Sequence, residues 1–300
     1  VWPPARSIWA ASTPTPPLGR SYSVLMSVYQ KEHSEYLYAA IKSMAGQSMK
    51  PLEIVLVCDG PLTKELDAVL EKTEFQDVLQ VIRLAENVGL GAALSNGLPE
   101  CTCEWVARMD SDDIAASDRC EKQMAYLQAH PEVDVLSGTI EEFQGNVGTE
   151  REARDFVLSI KTVPRTQEEV SSYIKMRNPV NHPCVMFRKS KVLAAGGYQP
   201  CPLFEDYDLW VRMYQNGCRF ANLPDTLLYM RVNDMHRRRG GISYIKPLIH
   251  FWTGMYRRQM LSFSQYIFVL LSRVLVSLLP NGIRKMIYDK KLRNHNCNER

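Results

Sequence analysis

The stretch Trp105-Val-Ala-Arg-Met-Asp-Ser-Asp-Asp113 decides the fold. Residues 105–109 form a short, mostly apolar run, the pattern of a buried strand, which breaks abruptly into three carboxylates. Two carboxylates two residues apart at a strand end can both reach one hard divalent cation, and Mg²⁺ or Mn²⁺ prefers such oxygen ligands. The same residues also suit an acidic turn that caps the next helix through Asp113 and Ser117. The surrounding pattern has to choose between the two.

Upstream, Tyr22-Ser-Val-Leu-Met-Ser-Val28 and Leu52-Glu-Ile-Val-Leu-Val-Cys58 are further apolar runs, and Leu79–Leu84 is a third. Helical spacing separates them at Tyr36–Ala45 and Lys64–Leu70, and again from the Asn87-Val-Gly-Leu-Gly91 turn to Leu98. Strand–helix alternation at this spacing implies βαβ crossovers and a mostly parallel central sheet flanked by helices. In such sheets ligands bind beyond the carboxyl ends of the strands, where Asp59 and Asp110–Asp113 fall. Downstream, helices are expected over Arg119–Gln128, Thr166–Met176, Ser190–Ala195 and Asp206–Asn216. Strands are expected over Val133–Ser137, Pro183–Arg188 and Phe220–Val232. Glu141–Ser159 is polar and reads as loop or edge.

Three further clusters bear on chemistry. Asp59, before Gly60-Pro61, suits an Asx turn or a hydrogen bond to a base or ribose. Asn87-x-Gly89-x-Gly91 opens a helix whose N-terminus favours anions, or is only a turn. Glu205-Asp206-x-Asp208 begins another helix; the helix dipole accounts for one or two acids there, and burying three together raises at least one pKa, as a general base needs. His182 reads as a loop or acceptor-site residue, His236 as a surface or structural residue before a metal ligand, and Cys101-x-Cys103 has no second pair to make a zinc site.

Composition narrows the class. The 300 residues are 45% hydrophobic with net charge +3, which excludes a disordered chain. Eight scattered cysteines exclude a small disulfide scaffold. Residues 1–21 are rich in Pro, Ser and Thr and read as a flexible tail, with no apolar run of signal-peptide length in it. From His236 to Arg300 the chain carries thirteen Lys and Arg against two Asp and Glu, while the rest is net negative. That asymmetry points to an anionic surface, membrane or nucleic acid.

Taken in order, Ser23–Tyr29, Glu53–Gly60, Asn87-x-Gly-Leu-Gly-x-Ala-x-Asn96, Met109–Asp113, Gly196-Gly-Tyr198 and Glu205-Asp-Tyr-Asp-Leu-Trp210 resemble the family 2 glycosyltransferases of bacterial exopolysaccharide and capsule biosynthesis. The likeness spans Tyr22–Gly241, and Arg231-Val-Asn-Asp-Met-His-Arg-Arg-Arg-Gly-Gly241 with the basic tail is similar to the amylovoran-type subgroup. The resemblance implies a GT-A fold and a metal-dependent, inverting transfer from a nucleotide sugar. It assigns the nucleotide pocket to Val28, Tyr29 and Glu32, base contact to Asp59, and donor contacts to Asn87, Gly91, Asn96, Arg238 and Arg239. Asp110 would face the ribose and sugar and share Mg²⁺ or Mn²⁺ with Asp112; Asp206 would be the general base, with Glu205 beside it. Inversion takes one displacement and needs no carboxylate nucleophile. Arg237–Arg239 stand where processive relatives carry Gln-x-x-Arg-Trp, which favours transfer of a single sugar; they would clamp diphosphate or bind lipid phosphate. Two other classes share this sheet: a pyrophosphorylase-like nucleotidyltransferase, disfavoured because Tyr29–His33 is no Gly-rich loop, and a non-catalytic membrane-bound module, disfavoured by the retained Asp110, Asp112 and Asp206.

The chain would thus divide into a flexible tail over residues 1–21, a GT-A transferase domain over 22–241, and a basic membrane-association segment of C-terminal amphipathic helices over 242–300. On a helical wheel for Met260–Leu279, Ser262, Gln265, Ser272, Arg273 and Ser277 share one sector and apolar residues fill most of the rest. An interfacial helix using Phe263, Ile267, Leu270, Leu271 and Val274 is favoured over a core-packed helix, and a single span is disfavoured by Arg273. The expected place is peripheral, on the cytoplasmic face of a bacterial inner membrane, with a lipid-linked saccharide acceptor, anionic lipid and no nucleic acid as partners.

Overall fold

The computed structural model describes residues 21–232 and 242–279. Strands β1 (Tyr22–Val28), β2 (Glu53–Cys58), β3 (Leu79–Arg83) and β4 (Trp105–Met109) pair in parallel in the order β3-β2-β1-β4. Helices α1 (Ser34–Ala45), α2 (Lys64–Leu70) and α3 (Leu90–Gly97) make the crossovers. The apolar runs of β1, β2 and β4 are buried because helices cover both faces, as parallel sheets require. On one face Met26, Leu56 and Met109 pack with Leu37, Ile41 and Met44 of α1; on the other, Leu25, Val55 and Val106 pack with Leu94 of α3. Gly97 is a required close approach: a Cβ there would lie 2.6 Å from Val57 Cγ2 and 2.7 Å from Leu25 Cδ1.

Beyond β4 the sheet turns mixed. The remaining strands are β5 (Ile114–Ala115), β6 (Val135–Phe143), β7 (Val157–Lys161), β8 (Met186–Arg188) and β9 (Phe220–Arg231). β8 runs antiparallel between β4 and β6, β9 is parallel to β6, and β5 and β7 pair antiparallel with β9 and β6. The parallel expectation therefore holds for the first four strands, and the second half alternates direction. Helices α4 (Arg119–Ala129), α5 (Glu150–Asp155), α6 (Gln167–Tyr173), α7 (Lys189–Ala194) and α8 (Glu205–Gln215) surround it. The Glu141–Ser159 segment corrects the loop expectation: β6 runs on through Phe143, a capping box of Thr149 and Glu152 starts α5, and β7 follows. Glu141 and Glu142 are buried within the strand because Thr226 and Ser159 donate hydroxyl hydrogen bonds to them. Their polarity hid the strand.

Two helices close the described chain, α9 (Ile242–Arg257) and α10 (Phe263–Leu278). They build a separate apolar cluster in which Leu248, Phe251, Trp252 and Val269 meet Phe204, Tyr207 and Val211 of the α8 region. Both lie within the 242–300 segment for which amphipathic helices are expected.

Candidate active site

The carboxylates leave β4 on defined sides. Val106 and Arg108 share the face covered by α3, and strand alternation places Asp110 there as well. Arg108 is 1% exposed and ion-pairs through Nη2 with Asp110, while its Nε and Nη1 have no hydrogen-bond partner among the described residues. One carboxylate oxygen from each of Asp110, Asp112 and Asp113 lies within 4.8 Å of the others. Glu32 joins them: Ser111 Oγ donates to Glu32 Oε2 at 2.8 Å.

Arg231, the last residue of β9, locks this loop. Its backbone N–H donates to Asp113 Oδ1 at 2.8 Å and its Nε to the Asp112 carbonyl at 2.9 Å. Its remaining nitrogens donate to the carbonyls of Gly145 and Val147, and its guanidinium lies 3.8 Å from the Tyr36 ring centroid and 4.7 Å from that of Phe143. Burial and the charges of Asp110 and Glu32 push Asp112 up to about 7. Burial and the charges of Asp112 and Asp110 push Asp113 well above the carboxylate range, against the Arg231 N–H. A divalent cation would relieve that repulsion, and the donor set of hard oxygens fits Mg²⁺ or Mn²⁺. Asp110 and Asp112 could hold it; Asp113 gives Oδ1 to the Arg231 N–H, and its Oδ2 is buried with no hydrogen-bond partner among the described residues.

The ends of β1 and β2 form the neighbouring rim. Asp59 N–H donates to the Val28 carbonyl at 2.8 Å, which ties the two strand ends together. Both Asp59 carboxylate oxygens accept backbone N–H groups, from Val88 at 2.7 Å and Gly89 at 3.0 Å, and Asn87 Nδ2 donates to the Asp59 carbonyl. The Asp59 side chain thus makes no local Asx turn with Gly60-Pro61; its bonds reach 29 and 30 residues along the chain and anchor the Asn87–Gly89 loop. Gly60, at φ +85°, is needed because a Cβ would lie 2.8 Å from Asn87 N. Tyr29 is half-buried and its carbonyl accepts the Glu32 N–H, making the turn that presents Glu32. Gly91 lets α3 press on α8, for a Cβ there would lie 3.0 Å from Glu205 Cγ. Asn96 is not brought to the rim: it is exposed, five residues beyond Gly91, and its amide donates to the Ala92 carbonyl of its own helix.

The opposite wall is the start of α8. Asp206 Oδ2 accepts Asn178 Nδ2 at 2.7 Å. Burial raises the Asp206 pKa, overcoming the opposing Tyr207 N–H and Asn178 bonds and the charges of Lys161 and Arg108. Burial also raises Glu205, against N–H groups of Glu205 and Leu203. Asp208 serves otherwise: Arg212 Nε and Arg258 Nη1 hold its two oxygens at 2.8 and 2.5 Å. Between the walls, His182 Nε2 and Tyr198 Oη are 3.0 Å apart, and burial beside Arg108 drives the imidazole pKa well down, so His182 is neutral. Tyr198 is anchored by Ser95 Oγ donating to its carbonyl. Burial raises the Tyr198 pKa, and the charges of both Asp206 and Asp110 add to that rise.

Sequence reasoning gave no role to Arg108, Asn178, Tyr198 or Arg231. An arginine inside an otherwise apolar buried strand was a usable signal for Arg108, because an unpaired buried charge is rare. His236 and Arg237–Arg239, with Arg238 and Arg239 expected at the donor, lie outside the described residues, as do the tail 1–20 and the basic residues beyond 279.

Comparison with known proteins follows this geometry. The family described as glycosyl transferase family 2 matches residues 23–193. The chain is 38% identical over 270 residues to the amylovoran biosynthesis glycosyltransferase AmsE of Erwinia amylovora, covering 90% of this chain and 98% of that one. It is 36% identical to the Escherichia coli UDP-Gal:alpha-D-GlcNAc-diphosphoundecaprenol beta-1,3-galactosyltransferase, covering 91% and 96% of the two chains. Among solved structures, Staphylococcus aureus TarS 1–349 in complex with UDP-GlcNAc superposes with TM-score 0.63 at 19% identity, covering 90% of this chain and 76% of that one. The mannosyltransferase PcManGT of Pyrobaculum calidifontis, in complex with GDP-Man and Mn²⁺, gives 0.59 at 16% identity, covering 94% and 78%. These two share the GT-A fold with this protein. On the family match and the two relatives, the chain is a member of glycosyl transferase family 2.

Proposed function

We propose that this glycosyltransferase moves one sugar, with inversion, from a nucleotide diphosphate sugar to a lipid-linked saccharide in polysaccharide biosynthesis. One observation carries the reading: a cation-suited carboxylate cluster at a strand end and a base-suited Asp206 at a helix start share Arg108 and Tyr198 as electrostatic neighbours, with His182 hydrogen-bonded to Tyr198. On this reading the donor lies over Val28, Tyr29, Glu32, Asp59, Asn87, Gly91 and Asp110; Arg238 and Arg239, also assigned to it, lie outside the described residues. Mg²⁺ or Mn²⁺ on Asp110 and Asp112 would supply charge neutralisation for the leaving diphosphate. The buried Arg108 fixes Asp110 in place through their ion pair. Asp206 accepts the proton of the acceptor hydroxyl, and its raised pKa matches that task. Asn178 occupies one carboxylate oxygen and so orients the other. Neutral His182 holds Tyr198 without adding positive charge that would weaken the base.

The lipid-diphosphate acceptor named for the Escherichia coli relative supports a lipid-linked acceptor here. Peripheral attachment to the cytoplasmic face of a bacterial inner membrane, through anionic lipid and the segment 242–300, fits the basic composition of that segment. Among the described residues no helix is long and apolar enough to cross a membrane.

The test is to incubate the purified chain with Mn²⁺, a panel of nucleotide sugars and a polyprenyl-diphosphate-linked N-acetylhexosamine. One donor should be consumed, the new glycosidic bond should show the inverted anomer by NMR, and EDTA should stop the reaction. A retained anomer would overturn the mechanism. Synthesis of a nucleotide sugar from a sugar 1-phosphate and a nucleoside triphosphate would move the protein to the nucleotidyltransferases.

A further inference from the structure

Helix α10 is turned inside out. At 100° per residue, Val269, Arg273, Tyr266 and Ser277 fall on one side of it, and this is the side that meets the protein. Its polar groups are satisfied there: Arg273 Nη2 donates to the Met176 carbonyl at 2.6 Å, and Tyr266 and Thr253 share a hydroxyl hydrogen bond. Phe268, Leu271, Leu275 and Leu278 fall within an arc of about 80° on the opposite side, and each is between 57% and 66% exposed. Of the face expected from sequence, Leu270 and Val274 instead pack partly against the core, and only Phe263 and Leu271 stand out. A water-facing helix would carry its polar residues outward.

We infer that this outer face of α10 is the surface by which the protein docks on an anionic phospholipid bilayer, with the apolar arc immersed among the acyl chains. The inference rests on the proposed lipid-linked acceptor and goes further by naming the contact. Charge selects the occupant. Residues 242–279 contain no Asp or Glu, and the exposed side of α9 carries Lys246, His250 and Arg257 beside Ile249 and Tyr256. Arg284, Lys285, Lys290, Lys291 and Arg293 follow in sequence. Cations around an apolar stripe match a negatively charged interface.

The docking face is also joined to the catalytic wall. Phe251 stacks on Phe204 with centroids 4.7 Å apart and Trp252 meets Tyr207, while Arg258 Nη1 reaches Asp208, two residues after Asp206. A bilayer held by α10 therefore stands in a fixed relation to Asp206, and lipid-linked acceptors arrive from a set direction.

The experiment is flotation of the full chain with vesicles of phosphatidylglycerol and phosphatidylethanolamine (1:3), with metal-dependent nucleotide-sugar hydrolysis measured on the same proteins. Wild type should float, and 0.5 M NaCl should release only part of it, because apolar burial is insensitive to salt. Leu271→Ser/Leu275→Ser should partition about 10²-fold less at either salt concentration, since two leucines leave hydrocarbon for water, and should hydrolyse donor as wild type does. Leu158→Ser, at an exposed leucine of β7, should float normally. A double variant that floats like wild type would overturn the inference. So would a wild type that ignores vesicles and instead forms a dimer broken by the same substitutions, or one that floats only after residues 280–300 are removed. Hydrolysis missing from all variants, with flotation still lost in the double variant, would sink the transferase reading and leave the docking surface standing.

Discussion

At the carboxyl end of β4, polar partners hold the acidic loop, and two of them, Glu32 and Arg231, come from distant segments. Ser111 bonds Glu32, Arg231 bonds Asp113 and the Asp112 carbonyl, and Arg108 pairs with Asp110. At the start of α8, Asp206 has Asn178 as its side-chain hydrogen-bond partner, and the helix beneath it is seated on Phe251 and Trp252. The first arrangement crowds negative charge and waits for a cation. The second buries a carboxylate so that desolvation outweighs its Tyr207 N–H and Asn178 bonds and raises its proton affinity. On the proposed function the contrast would separate two tasks, donor binding by concentrated charge and proton removal by desolvation.

The separation is open to attack at each side. Asp206→Asn keeps the shape but accepts no proton, so kcat should fall by roughly 10²–10⁴-fold in an acceptor-dependent assay. If Asp206→Asn stayed active while Glu205→Gln was dead, the base would be Glu205. On the other wall, Arg231→Met removes the clamp on the Asp112–Asp113 loop. Mn²⁺ affinity, read by titration of the metal alone, should weaken by about 10–100-fold, while Arg231→Lys should recover part of it. Unchanged Mn²⁺ affinity would mean that the loop needs no clamp.

Smaller effects sharpen the boundary. Gly91→Ala forces its Cβ to 3.0 Å from Glu205 Cγ. It should displace the α8 start and cost about 1–3 kcal/mol in overpacking, visible as lower kcat with metal affinity intact. The pH dependence follows from Asp112. Its folded pKa, about 7, exceeds the ordinary carboxylate value, so the metal-free protein loses stability as pH rises from the ordinary value through about 7. Mn²⁺ must displace that proton. The rise in Tm on adding Mn²⁺ should therefore be small at pH 6 and grow by a few degrees toward pH 8. A pH-independent rise would remove Asp112 from the metal site.

The donor side was largely legible in the sequence, because continuous apolar runs ending in Asp59 and Asp110 announce parallel strands and their rim. Periodicity failed at β6 and β7, where the buried Glu141 and Glu142 imitate a loop. Arg231 was invisible for a different reason: it acts on Asp113 across 118 residues of chain, and no local pattern reports such a contact. The polarity of α10 was readable, but which side faced the protein was not. That depends on Met176 and Trp252 being in place to receive Arg273.

Donor binding by two variants tests the division of labour most directly. Calorimetry with Mn²⁺ and the nucleotide sugar that wild type hydrolyses should give Asp206→Asn an affinity within about threefold of wild type, or under 1 kcal/mol. Asp112→Asn should show no metal-dependent binding. Loss of donor binding by Asp206→Asn to the same degree as Asp112→Asn, or wild-type binding by Asp112→Asn, would contradict it.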